Sequence, residues 1–156
     1  MDNLKEKIQK DYKEAFKSGD KTKISVLKML QSEIHNAEIS KRAKSGKEES
    51  LSDAEVLDVL TREVKKRRDA ISLYERGGRT ELAEAERNEI GVLKSYLPEE
   101  ISEEELKKLV GDAIEKSGAK SVKEMGRVMA ILMPQIKGRA DNSLVSKIVK
   151  ESLNES

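Results

Sequence analysis

Cysteine and tryptophan are absent from this chain of 156 residues, and histidine occurs once, at His35. Without cysteine the protein has no disulfide, no thiolate nucleophile and no thiolate metal ligand. A single histidine excludes zinc sites that need a histidine pair. No apolar stretch approaches the roughly 18 residues that a membrane span needs, and the N-terminus lacks the apolar core of a signal peptide. These absences predict a soluble, cytoplasmic protein with neither a metal nor a membrane as partner.

Aromatic residues are also scarce, at 3%, whereas charged residues reach 39%. A soluble domain usually carries about 25% charged residues, so this surface is unusually rich in charge. The 31 basic and 30 acidic residues nearly balance. This balance argues against a protein that coats polyanions with its whole surface.

Apolar residues recur at three- and four-residue spacing along the whole chain, and no segment shows the alternation typical of a strand. The N-terminal part of the chain is predicted to contain four helices. The first helix ends at Gly19, and Asp20 caps the start of the second helix. The Ser52–Glu55 pair forms a capping box at the start of the third helix, and the fourth helix spans about 80–96. The polar stretch 41–52 is predicted to be a frayed helix end and a mobile loop.

Three shorter helices follow the proline that closes the fourth helix. Capping-box patterns precede the first two, at Ser102 and Ser121, and Asp141 is placed to cap the third. The sequence therefore predicts an all-α protein. An antiparallel bundle of about four helices over 1–98 is followed by a small three-helix bundle over 99–156.

Known catalytic motifs are missing from the sequence. It has no phosphate-binding glycine loop, no nucleophile elbow and no paired-histidine metalloprotease motif. His35 is predicted to be a partly exposed surface residue, and carboxylate pairs are too frequent on these helices for any one to stand out as an acid–base pair. The sequence predicts no catalytic residue and no cofactor.

Charge is unevenly distributed in the last third of the chain. Segment 99–119 has a net charge of −4, whereas segment 120–150 has a net charge of +5. The basic segment could form a cationic face that meets phosphates, or the acidic and basic helices could neutralise one another within the fold. A second basic run, 65–68, winds around its helix because successive residues lie about 100° apart. It is predicted to snorkel into solvent, and contact with RNA is the alternative.

The segment 125–142 has unusual backbone features. Gly126 lies inside a helix, where glycine costs about 1 kcal/mol relative to alanine, and it suggests the close approach of another backbone. Gly138 suits a left-handed helix end. Lys137 and Arg139 are predicted to project from a tight corner that precedes a helix start. Two cations beside a helix start form a candidate anion site, and the alternative is that the corner is only structural.

This segment also carries a resemblance to a known family. The strings that carry it are Met125-Gly126-Arg127-Val128-Met129, Leu132-Met133-Pro134 and Lys137-Gly138-Arg139-Ala140-Asp141. Together they resemble the signature of the YqeY family. Members of this family are stand-alone relatives of the C-terminal tail of GatB, a subunit of tRNA-dependent amidotransferase. Similar stretches at 23–30, 62–67 and 96–99 extend the resemblance to almost the whole chain. The family has glycine where Asn142 stands, and asparagine tolerates a left-handed backbone better than most residues.

The resemblance implies a module associated with tRNA or aminoacyl-tRNA. The chain resembles the tail and lacks the catalytic core of GatB, so carbon–nitrogen ligase activity with glutamine as amido donor would belong to the larger protein. The expected phosphate-binding cations are Lys137, Arg139, Arg127, Lys123 and Lys147. The expected turn of the motif comprises Gly126, Gly138, Asp141 and Asn142.

Recognition of RNA would rest on shape and backbone, because the few aromatic residues are predicted to lie in the core or at helix ends. They are Phe16, Tyr12, Tyr74 and Tyr96. The alternative is a protein-interaction module that docks on an amidotransferase subunit, a synthetase or another partner. Its contacts would come from apolar residues such as Met125, Met129 and Met133.

Overall fold

The prediction of an all-α protein is confirmed by a computed structural model, which describes residues 3–136 and 138–154. Within these ranges the chain forms seven α-helices and one short 3₁₀ helix, with no strand. It divides into two compact units, and the division falls between Leu97 and Pro98. Each unit has its own cluster of buried apolar side chains. None of the helices in the described ranges is long and apolar enough to cross a membrane.

The N-terminal unit contains four helices: α1 (Leu4–Ser18), α2 (Lys21–Ser45), α3 (Asp53–Arg76) and α4 (Thr80–Lys94). The long helix α2 packs against each of the other three. The predicted caps are present: Asp20 accepts a hydrogen bond from the Lys23 amide, and Ser52 with Glu55 forms a capping box. These local devices set the helix starts, because side-chain oxygens satisfy amides that lack partners within the helix.

The polar stretch after α2 differs from its prediction. Helix α2 continues through Ser45, and the connection that follows buries Leu51. The Lys41 ammonium contacts the Ser50 carbonyl at 3.1 Å and the Glu55 carboxylate at 2.8 Å. The Lys41 hydrogen bond, with those from Ser52, lowers the pKa of Glu55 to about 2. These contacts therefore hold the two ends of this stretch, at Lys41 and at Ser50 and Leu51.

A buried carboxylate helps to hold that connection. Glu38 on α2 is 3% exposed, accepts hydrogen bonds from the Lys5 ammonium at 2.8 and 2.9 Å, and also accepts one from the Leu51 amide at 3.1 Å. Burial by itself would raise the pKa of Glu38, but these donors and the charge of Arg42 together lower it. The paired carboxylate thus joins α1, α2 and the connection before α3.

We expect Lys5→Met to destabilise the protein by about 2 kcal/mol at pH 7, because it leaves the Glu38 carboxylate buried without its cation. The pKa of Glu38 is lowered on folding, so the ionised carboxylate stabilises the fold above the unfolded pKa of about 4.3. This stabilisation is lost as the pH falls through the pKa of the folded protein. The gap between wild type and variant should therefore shrink below about pH 4. Urea unfolding at pH 7 and pH 3.5 measures both effects, and Lys10→Met on the exposed face of α1 is the control.

One aromatic residue of this unit does not lie where the sequence places it. Phe16 is 67% exposed. Helix α1 buries Ile8 and Ala15, and a step of one residue turns the side chain by about 100°, so Phe16 lies off the buried face of α1. The core prediction for Phe16 is wrong, whereas the three tyrosines are half-buried.

The C-terminal unit contains α5 (Glu103–Ser117), a 3₁₀ helix (Val122–Glu124), α6 (Met125–Ile136) and α7 (Asn142–Asn154). Its core comes from the inner faces of all three α-helices, including Leu106, Leu132 and Val149. The Ser102 hydroxyl accepts a hydrogen bond from the Glu105 amide at 3.2 Å, as predicted.

The second capping box of this unit does not form. Ser121 makes no side-chain cap hydrogen bond, and the Glu124 carboxylate instead accepts one from the Lys120 amide at 2.8 Å. The reason is that residues 122–124 form a 3₁₀ turn, whose geometry differs from that of an α-helical first turn. Pro134 lies within the last turn of α6.

Candidate nucleic-acid interface

The outer face of α6 and the turn before it carry two of the expected phosphate-binding cations. Lys123 and Arg127 are exposed and lie four residues apart, so they project from neighbouring turns. The rest of the exposed face of α6 is small or uncharged, and the helix contains no carboxylate. Arg127 therefore keeps its positive charge without an acidic neighbour on its own helix.

Helix α7 carries a second exposed cation pair. Lys147 and Lys150 lie three residues apart on the solvent side of the helix, opposite the buried Val145, Ile148 and Val149. Glu151 is the only carboxylate of this helix. The pair therefore gives α7 a mainly positive outer face.

None of these four cations forms an ion pair with another described residue. Four cations of the N-terminal unit do contact at least one carboxylate each, namely Lys5, Lys41, Arg67 and Arg87. In the acidic helix α5, Glu103 pairs with Lys107 of the same helix at 3.6 Å. Direct ion pairs with the described residues therefore do not neutralise Lys123, Arg127, Lys147 or Lys150.

Arg139 occupies a different environment from the other expected cations. It is half-buried, and its Nε donates to the Glu99 carbonyl at 3.3 Å. Its backbone carbonyl accepts a hydrogen bond from the Ile101 amide at 2.9 Å. Arg139 thus fastens the segment before α5 to the corner between α6 and α7. Lys137, the other expected corner cation, lies outside the described residues.

The start of α7 is capped by the protein itself. The Asp141 carboxylate accepts a hydrogen bond from the Ser143 amide at 3.2 Å, and the Asp141 carbonyl accepts one from Val145 at 3.0 Å. A carboxylate near the amides of a helix start already supplies the negative charge that the helix dipole favours. Asp141 therefore takes the position that an external anion would use.

The glycine predictions for this motif have mixed outcomes. Gly138 has φ of 75°, which confirms the left-handed helix end. Gly126 is exposed, and a Cβ added there would meet nothing within 4 Å, so the predicted close backbone approach is wrong. Asn142 is the first residue of α7 and, like every other described non-glycine residue, has no positive φ. Asparagine therefore replaces glycine there without backbone strain.

The methionines expected to serve a protein partner are partly engaged inside the unit. Met125, Met129 and Met133 are half-buried and pack against the C-terminal core. The exposed large apolar residues are instead Val122, at 36%, and Leu144, at 38%. They lie on the 3₁₀ helix and on α7, two elements that contact each other.

The basic run 65–68 contains a residue that the sequence analysis misplaced. Arg67 does not snorkel into solvent; its guanidinium lies 2.8 Å from the Glu63 carboxylate, 3.3 Å from Glu89 and 3.9 Å from Glu86. Burial and the charge of Glu89 raise the pKa of Glu86, against the lowering effect of Arg67. The carboxylates of Glu86 and Glu89 come from α4, so this cluster joins α3 to α4.

No group of three or more histidine, aspartate or glutamate side chains that could hold a metal ion occurs among the described residues. His35 is exposed on α2, as predicted.

Comparison with known proteins adds the family context. Residues 5–153 match the model of the family described as Yqey-like protein. A relative from Pyrenophora tritici-repentis, named "Altered inheritance of mitochondria protein 41, mitochondrial", is 32% identical over 93% of this chain and 78% of its own length. An uncharacterised protein of Schizosaccharomyces pombe is 38% identical over 64% of this chain and 76% of its own.

A third relative, from Candida glabrata, bears the same name as the first and is 35% identical over 59% of this chain and 48% of its own length. The names of these proteins mention neither tRNA nor amidotransferase. The predicted cytoplasmic location is contradicted, because three relatives are named as mitochondrial proteins.

Proposed function

Because this chain belongs to the YqeY-like family, we propose that it is a binding module for structured RNA, with tRNA as the first candidate, and that it has no catalytic centre of its own. One observation carries the proposal. Lys123, Arg127, Lys147 and Lys150 of the C-terminal unit are exposed and free of ion pairs with the described residues. A cation without an internal partner can contact phosphate without first losing an ion pair.

The number of cations sets the expected character of binding. Three or four phosphate contacts correspond to a slope of about −3 in log K against log salt concentration. Such binding is weak to moderate at physiological salt and reads backbone shape rather than base sequence. The three tyrosines are half-buried, so Phe16 is the one aromatic residue whose ring is mostly exposed.

We expect the double variant Arg127→Ala/Lys147→Ala to bind bulk tRNA about tenfold or more weakly than wild type, and its salt slope to fall by about 2. The measurement is a mobility-shift titration against tRNA and a size-matched unstructured RNA, at about 50 and 200 mM salt. Both side chains are exposed, so the variant should keep its helical circular dichroism and its melting temperature.

The control is Lys107→Ala in α5, which removes an exposed lysine of the same unit that is already paired with Glu103. It should leave tRNA affinity within about twofold of wild type. Equal loss in the control and the double variant, or no tRNA binding by folded wild-type protein, would refute the proposed RNA function. A Lys137→Ala variant then tests separately the corner lysine of the family motif.

A protein-interaction module is the second candidate, favoured by the exposed Val122 and Leu144. Burial of apolar area depends little on salt, whereas phosphate binding falls steeply with it. A Val122→Ser/Leu144→Ser variant that binds tRNA normally but loses a protein partner would favour this second function.

A further inference from the structure

A groove in the N-terminal unit lies between helices α1 and α4. Both helices pack on α2, and their described backbones stay apart from each other. The space between them has a volume of about 610 Å³, and the half-buried Val92 and Tyr96 contribute apolar surface to it. This volume lies in the range of small-molecule sites. At one position the groove is bridged, where the Tyr96 hydroxyl donates to Asp11 at 2.6 Å.

The hydroxyl groups of this groove have no proton left to donate to a ligand. Ser18 donates to the Ala15 carbonyl at 3.1 Å, Ser95 donates to the Val92 carbonyl at 2.6 Å, and Tyr96 donates to Asp11. Each of these oxygens can still accept a hydrogen bond. The hydroxyl groups therefore favour a ligand that donates hydrogen bonds.

The charges in the groove point to the same kind of ligand. Asp11 and Glu14 lie three residues apart on α1, so both carboxylates project from one side of that helix. Neither forms an ion pair with a described residue, and Glu14 makes no hydrogen bond there either. Lys23 is the single cation of the lining, which leaves the groove with a net negative charge. A positively charged ligand is favoured by Coulomb attraction.

On the α4 side, the groove is lined by a glycine. Gly91 lies in the middle of α4, where glycine costs about 1 kcal/mol relative to alanine. A Cβ built on Gly91 would meet nothing within 4 Å, so no internal packing requires the missing side chain. What the glycine does is leave the groove wider between Asn88 and Ser95, its neighbours on the same face of the helix.

We propose that this groove binds a small aliphatic diamine in its protonated form. One ammonium lies at Asp11 and the other at Glu14, while the alkyl chain lies against Val92 and the Tyr96 ring. The Ser95 hydroxyl accepts a further hydrogen bond from an ammonium group. The site lies wholly in the N-terminal unit, so it is independent of the RNA contacts proposed for the C-terminal unit.

The test is calorimetric titration of the full chain with 1,4-diaminobutane at about 100 mM salt, where weak surface attraction is largely screened. Wild type should bind with a stoichiometry of one and should not bind the uncharged analogue 1,4-butanediol. Asp11→Asn should weaken binding about tenfold or more, since a charged hydrogen bond is lost. Gly91→Leu, which fills the groove and changes no charge, should abolish it.

Two matched controls separate the groove from general surface charge. Gly111→Leu introduces the same side chain at another mid-helix glycine whose Cβ would meet nothing, and Glu104→Gln removes an exposed carboxylate of α5. Both should bind 1,4-diaminobutane like wild type. No saturable binding by wild type, unchanged affinity in Gly91→Leu, or equal binding of the diol would each overturn the proposal. Helical circular dichroism and melting temperature show that each variant is folded.

Discussion

The Arg67→Met variant is expected to lose about 3–5 kcal/mol of stability at pH 7. Its guanidinium is the shared partner of three carboxylates, Glu63, Glu86 and Glu89, and its side chain is 11% exposed. Removing one partner of a buried ion pair leaves uncompensated charge in a poorly solvated place. Here three carboxylates would remain, and their mutual repulsion adds to the desolvation penalty.

The pH dependence of this variant has a definite sign. The pKa of Glu86 is already raised in the wild type by burial and by Glu89, and removal of Arg67 takes away the interaction that opposes this. An acid with a raised folded pKa destabilises the fold above that pKa, and the penalty disappears as the pH falls toward the unfolded value of about 4.3. The variant should therefore regain part of its lost stability between pH 7 and about pH 5.

Urea unfolding at pH 7, 6 and 5 measures both effects. Lys66→Met is the control, because Lys66 is the exposed neighbour on the same helix, and its change should stay within about 0.5 kcal/mol. If Arg67→Met and Lys66→Met were equally stable, the cluster would be a surface feature without energetic importance. Loss of stability that does not recover at lower pH would instead point to lost packing of the arginine side chain.

The Leu132→Ala variant is expected to unfold much of the C-terminal unit. Leu132 is fully buried in α6, and such a truncation costs about 2–5 kcal/mol. A unit that begins at Pro98 is small, and at about 0.05–0.15 kcal/mol per residue its total stability is only about 3–9 kcal/mol. The loss is therefore a large fraction of what holds the unit together.

Amide NMR spectra measure this loss residue by residue. The signals of the N-terminal unit should stay dispersed, because its apolar cluster is separate from that of the C-terminal unit. The signals of α5, α6 and α7 should weaken or collapse, and tRNA affinity should fall with them. Leu144→Ala, at a position 38% exposed, is the matched control and should change little. Collapse of both sets of signals in Leu132→Ala would show that the two units unfold cooperatively.

Helix starts and stops were largely predictable because the interactions that make them are local. Asp20, Ser52 and Ser102 accept hydrogen bonds from amides three residues away, and Gly19 and Gly118 take the left-handed conformation that ends a helix. Ser121 shows the limit of the same rule, because its pattern matched but the following turn is 3₁₀. A short motif predicts a cap, but the cap forms only where the backbone that follows is α-helical.

The candidate sites were less predictable because they depend on contacts between distant segments. Arg67 and its α4 carboxylates are some twenty residues apart. The three- and four-residue spacing of the apolar residues of α3 does place Arg67 on the inward face, but it does not show which carboxylates of α4 it contacts. The groove is shaped by residues from the two ends of the N-terminal unit, namely Asp11 at one end and Gly91 and Tyr96 at the other. Only the arrangement of α1 and α4 on α2 brings them together.

The sequence by itself determined the all-α class, most helix ends, the family and the excess of positive charge in segment 120–150. These properties follow from spacing, caps and composition, which act over a few residues or none. The tertiary structure decided which charges are neutralised: Lys5, Arg67 and Arg139 turn toward protein partners, whereas Lys123, Arg127 and Lys147 remain exposed. The physical reason is that burial and ion pairing depend on which helix faces meet, and that is fixed by packing of the whole chain.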